Sequence, residues 1–207
     1  MPTFVAFLRG VNVGKAKRVP MADFRALLSS MGFADVVTHL NSGNAVFRAA
    51  KGPSAAHAAA IAGALLQRMA FDVPVIVKAA AELAAIVAEN PIEAEAAEHP
   101  RLLVALTQER KALAGLKAIR PLVAPPERFA VGRNAAYLVC PPGIHQSRAW
   151  AALLGKAGGA ATTRNWATVL KLHSLASGDD DRPRLIRPSA ATGIARPRKT
   201  GRVRRSS

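Results

Sequence analysis

VVTHLNSGNAVFR, residues 36–48, is the stretch on which the fold turns. Two short runs of β-branched and aromatic residues flank Asn41-Ser42-Gly43. Glycine beside asparagine supplies the positive φ that a tight hairpin needs, so strands are predicted over 36–40 and 44–48. Upstream, FVAFL (4–8) is apolar, stops at Gly10 and reads as a buried strand. MADFRALLSSM (21–31) then sets Met21, Phe24, Leu27, Leu28 and Met31 on one helical stripe, with Pro20 at its entrance and Gly32 past its end. Downstream, an Ala-rich helix over 54–70 carries Ile61, Leu65, Leu66 and Met69, and VPVIVK (73–78) is a strand. With the hairpin in the middle the order is β-α-β-β-α-β, the split βαβ pattern of ferredoxin-like folds.

Beyond a linking helix at 80–89 and an acidic turn from Pro91 to Pro100, nearly the same order recurs. RLLVALT (101–107) reads as a strand and 108–119 as a helix. ERFAVG (127–132) and AAYLVC (135–140) form a hairpin across Arg133-Asn134. A helix over 146–155, a short strand near 159–162 and a final helix over 164–176 complete it. The fold class is therefore α+β, two ferredoxin-like subdomains in tandem: 1–79 is the first, and 80–178 is the linking helix plus the second. Residues 179–207 are an Arg/Pro-rich stretch without a sustained apolar period, expected to be a disordered basic C-terminal tail.

The formal net charge is +16. Residues 1–178 hold 20 Lys/Arg against 10 Asp/Glu, and 179–207 hold nine against three, so the tail is the denser cationic segment. Such tails attract nucleic acid or other polyanions through counterion release, without sequence preference. Aromatic residues are scarce, so the core rests on Leu, Val, Ile and seven Phe. The start, MPTFVAFLRG, lacks the charged region of a signal peptide, and no run of about 20 apolar residues suggests a membrane span. A single cysteine, Cys140, makes an intrachain disulfide framework impossible. A cytoplasmic protein with no membrane association is the expectation.

Three polar motifs interrupt the apolar runs: RGVNVG (9–14), NSGN (41–44) and TTRNW (162–166). RGVNVGK invites comparison with a phosphate-binding P-loop, but three residues instead of four separate its glycines and Ala16 stands where Ser/Thr would hold magnesium. An ordinary nucleotide-triphosphatase site is rejected. Glycine-rich backbone beside Arg9, Lys15, Lys17 and Arg18 remains able to bind an anion, the alternative being a wide turn with solvated cations. In a ferredoxin-like sheet the start of the third strand lies beside the end of the first, which brings Asn44 near Arg9–Asn12. TTRNW reads as a helix start capped by Thr162 or Thr163, with Arg164 and Asn165 in the first turn. A cation there opposes the helix dipole, so Arg164 is expected to meet a carboxylate or a bound anion. The candidate anion-binding set is Arg9, Asn12, Gly14, Lys15, Asn41, Ser42, Asn44, Thr163, Arg164 and Asn165. The histidines at 39, 57, 99, 145 and 173 show no metal-ligand spacing, and no cofactor is implied.

RGVNVGKAKRVPM, HLNSGNAVF and ATTRNWATVLKL, in this order, resemble the bacterial domain of unknown function (DUF) 1697 family across roughly residues 3–176. CPPGIHQSRAW (140–150) resembles a fourth segment of that family, with Ser147 starting the next helix. Lys15 departs from a family pattern in which a second glycine commonly follows Gly14, and His145 and Gln146 depart from Gly and basic residues. The resemblance implies no activity. The residues themselves point to a protein that binds nucleic acid or a phosphorylated, anionic ligand through a basic face. The alternatives are an enzyme acting on a small anionic metabolite and an interaction module without catalysis. Phe4, Phe7 and Phe47 are the aromatic residues on the two central strands that an RNA-recognition motif would use for base stacking, but the aromatic-glycine signature of that motif is absent and a true RNA-recognition motif is not expected.

Overall fold

The computed structural model describes residues 1–14, 17–141 and 143–178. The candidate Lys15 and the basic tail lie outside the described residues. The first six elements are β1 (Thr3–Leu8), α1 (Met21–Ser30), β2 (Ala34–His39), β3 (Asn44–Arg48), α2 (Ser54–Met69) and β4 (Val75–Ala79). Their strands form an antiparallel sheet in the order β2-β3-β1-β4. After α3 (Ala80–Ala88) come β5 (Leu102–Leu106), β6 (Arg128–Val131), β7 (Ala136–Val139), α4 (Arg148–Leu154), β8 (Thr162–Asn165) and α5 (Trp166–Ser177). The second sheet, β6-β7-β5-β8, repeats the order of the first and is also antiparallel. Two tandem ferredoxin-like units result. Among the described residues no helix is long and apolar enough to cross a membrane.

Strand alternation explains how the two sheets share one interior. Phe4, Ala6 and Leu8 join Phe24, Leu28, Ile61 and Leu65 in a core beneath α1 and α2. Their neighbours Val5 and Phe7 point the other way. They join Leu102, Val104 and Leu106 of β5, Leu83 and Ile86 of α3, and Val169 and Leu172 of α5 in one central cluster. A third cluster seals the outer face of the second sheet with Leu138, Leu153 and the 110–122 segment. The two units therefore stabilise each other through a common core. Phe4, Phe7 and Phe47 are each at most 2% exposed, so none is offered to solvent for base stacking.

Two local expectations are corrected. The segment following β5 is a 3-10 helix, Arg110–Leu122, in place of an ordinary helix. Leu113, Leu116 and Ile119 are its buried residues, and their spacing of three matches the three residues per turn of that helix. TTRN is the second correction: Thr162–Asn165 is the strand β8, and α5 starts only at Trp166. Thr162 and Arg164 point inward while Thr163 and Asn165 are half-exposed, the period of two that a strand demands. Asn165 is the cap: its side-chain oxygen accepts from Thr168 N at 2.9 Å. On α5, Trp166, Val169, Leu172 and Leu175 are buried while Leu170 and His173 are only half-buried. Ser147 caps α4 as expected, accepting from Trp150 N at 3.0 Å.

Candidate functional site

The three polar motifs meet where the ends of β1, β3 and β8 come together. Phe7 pairs with Asn44 in the first sheet, so the start of β3 lies beside the end of β1. Gly43 closes this corner, with φ +78° and with its carbonyl accepting from Leu8 N at 2.8 Å. A Cβ at Gly43 would stand 2.6 Å from Leu8 Cβ, so only glycine fits there. Asn12 braces the neighbouring loop. Its amide donates to Val19 O at 2.9 Å and Asn41 O at 2.6 Å, and its side-chain oxygen accepts from Val19 N at 2.9 Å. These bonds hold Asn12 at φ +58°, a region that asparagine tolerates better than most residues.

Arg164 crosses from the second unit into this corner. It is 7% exposed, and its guanidinium donates all five of its N–H groups. Nε bonds Asn44 Oδ1; Nη1 bonds Thr162 Oγ1 at 2.9 Å and Thr163 O at 2.7 Å; Nη2 bonds Leu8 O at 2.7 Å and Ser42 O at 2.8 Å. The charge also lies 5.7 Å from the centre of the Phe7 ring, within cation–π range. Every acceptor is neutral. Burial pulls the Arg164 pKa down to about 10, which leaves the group charged at neutral pH. The expectation of Arg164 at a helix N-terminus facing an anion is thus replaced. Arg164 is a clamp joining the three motifs, and no N–H remains for a ligand.

Arg9 has the opposite character. Its side chain is half-buried and makes no hydrogen bond or ion pair with another described residue. It lines a cavity of about 350 Å³ with Val13, Ser42, Trp150, Leu154 and Thr163; Leu8, Thr162 and Arg164 also reach it. A second cavity of about 360 Å³ is lined by Asn12, Gly14, Arg18 and Asn41. The 9–14 loop therefore separates two hollows. No Asp, Glu, His or Cys among the described residues lines either one. Of the predicted residues, Arg9, Ser42, Thr163 and Arg164 come together at the first cavity, and Asn12, Gly14 and Asn41 at the second. Asn44 is fully buried and acts from beneath, donating to His39 O and Ser42 Oγ at 2.9 Å each. Asn165 is occupied by its capping role.

Sequence reading missed the apolar wall on α4, made of Trp150, Leu153 and Leu154. The exposure of Leu154 (58%) and of Val13 (75%) was not readable from pattern, because neither a short helix nor a loop fixes by itself which apolar side chain stays outside the core. Cys140, by contrast, is buried, and burial pushes its thiol pKa up, away from a nucleophilic role.

The chain is similar in structure to the conserved bacterial protein SP0830 from Streptococcus pneumoniae, with a TM-score of 0.66 and 19% identity over 84% of this chain and 98% of that one. Likeness at that identity shows the fold alone. Comparison with curated proteins finds no match. The family model described as protein of unknown function (DUF1697) matches residues 1–137, well over half the chain, a span that includes RGVNVG and NSGN and ends before TTRNW. The chain belongs to the DUF1697 family.

Proposed function

We propose that the protein binds a small anionic ligand, phosphorylated ligands included, in the cavity beside Arg9. The observation that carries this reading is a half-buried arginine whose guanidinium has no described protein partner, at the edge of a hollow lined by no carboxylate among the described residues. Partial desolvation strengthens the attraction of such a cation for an anion, and no carboxylate among the described lining residues competes. Arg164 adds a second buried positive charge whose partners are all neutral. A volume of about 350 Å³ falls within the range of small-molecule pockets. A hollow of this size favours a compact ligand over a polymer, which would need an open basic face. Binding is favoured over catalysis because the described lining residues supply neither a general base nor an activated nucleophile.

Calorimetric titration of the full chain with inorganic phosphate at low salt tests this reading. Arg9→Gln is expected to weaken binding about tenfold or more, the worth of a charge-assisted contact, while leaving the thermal midpoint unchanged. Equal affinity in the variant would remove Arg9 from the site and the reading with it.

A further inference from the structure

The same cavity carries a pattern that narrows the ligand, and the narrowing rests on the anion-binding reading above. Its polar side carries a set of donors, two of them hydroxyls whose direction is fixed by their neighbours. Thr162 Oγ1 accepts from Arg164 Nη1 at 2.9 Å, and Ser42 Oγ accepts from Asn44 Nδ2 at 2.9 Å. Each hydroxyl therefore keeps its own proton to give away. The Thr163 hydroxyl has no partner among the described residues, and neither does the Arg9 guanidinium. Arg9, Ser42 and Thr163 come from three separate places: the loop after β1, the 41–43 turn and β8. Donors approaching from several directions suit the diverging oxygens of a tetrahedral anion better than the two coplanar oxygens of a carboxylate. The other side is apolar. Trp150, Leu153 and Leu154 of α4 line it, with Val13 on the facing loop, and Val13 and Leu154 are more exposed than an apolar side chain gains by being.

We propose that the ligand is a phosphate monoester with an apolar, aryl-sized body, its phosphate held by Arg9, Ser42 and Thr163 and its body laid against Trp150 and Leu154. Inorganic phosphate fills only the donor side. Burying an aromatic ring against the α4 wall adds the hydrophobic component, and the Trp150 indole suits ring-on-ring packing.

Calorimetry on the full chain with inorganic phosphate, phenyl phosphate and benzoate separates the possibilities. Phenyl phosphate is expected to bind at least about tenfold more tightly than either of the others. Trp150→Ala should remove most of that gain and leave inorganic phosphate binding unchanged. Trp150→Leu, which keeps an apolar side chain in place, guards against a variant that fails to fold and should lose part of the gain. Equal binding of phenyl phosphate and inorganic phosphate overturns the aryl ester and leaves the anion site standing. Benzoate binding as tightly as phenyl phosphate overturns the choice of phosphate. A phenyl phosphate preference unchanged in both Trp150 variants places the ring elsewhere and overturns the proposal. Failure of all three compounds to bind the wild type removes the anion site and the ester together.

Discussion

Replacing Arg164 by leucine is expected to lower the unfolding free energy by about 3–5 kcal/mol. Two effects oppose each other. Leucine removes the desolvation penalty of a buried charge, which favours the variant. It also strands Asn44 Oδ1, Thr162 Oγ1 and Leu8 O, which are buried acceptors, together with the carbonyls of Ser42 and Thr163. Each buried polar group left unmade costs about 1–3 kcal/mol, so three or more outweigh the relief. Lysine keeps the charge but has three donors against five acceptors and no planar fork, so Arg164→Lys should recover less than half the loss. Urea unfolding reads this as a fall in the midpoint with little change in slope. A leucine variant within 1 kcal/mol of wild type would show that the clamp does not hold the two units together.

The second large effect is expected at Glu89, the residue that ends α3. Its carboxylate accepts from the backbone N–H groups of Arg133, Asn134 and Ala135 at 3.2, 2.8 and 3.1 Å, and from Asn134 Nδ2 at 2.8 Å. Tyr137 Oη lies 3.1 Å from the same carboxylate and 2.7 Å from Ile86 O, so its single proton serves one of them at a time. Burial first, then the Glu89 charge, pushes the phenol pKa well above its ordinary value. One side chain thus fixes the β6–β7 turn to α3. Glu89→Ala should cost about 2–4 kcal/mol, because three backbone donors lose their acceptor at once. Glu89→Gln should fall between alanine and wild type, since its amide turns two donors toward N–H groups that need an acceptor. A glutamine variant as stable as wild type would mean that one acceptor oxygen and no charge suffice at this turn.

Glu89 and Arg164 also show what was legible in the sequence. The hairpin at NSGN fixed the β-α-β-β-α-β order, because glycine at a buried, positive-φ corner admits few other readings. The recurrence after residue 100 was legible from strand spacing alone. Arg164 stood out as a cation misplaced at a helix start, yet the anomaly came from misplacing the helix. Thr162, Thr163 and Asn165 are all competent caps, and four residues are too few for strand alternation to outvote them. Glu89 carried a real anomaly of the same kind, an anion at a helix C-terminus, where the dipole disfavours it. Its partners lie some 45 residues away in sequence, and no local pattern announces them. The cavity beside Arg9 was not legible, because it depends on how α4 of the second unit faces the 9–14 loop of the first.

The most direct test of the account is to map backbone amide shifts on the full chain during titration with inorganic phosphate. A single anion site at the meeting of the motifs predicts saturating changes at Arg9–Val13, Ser42 and Thr163, with the outer faces of α1 and α2 silent. Changes confined to residues 179–207, or scattered over surface lysines without saturation, would contradict it.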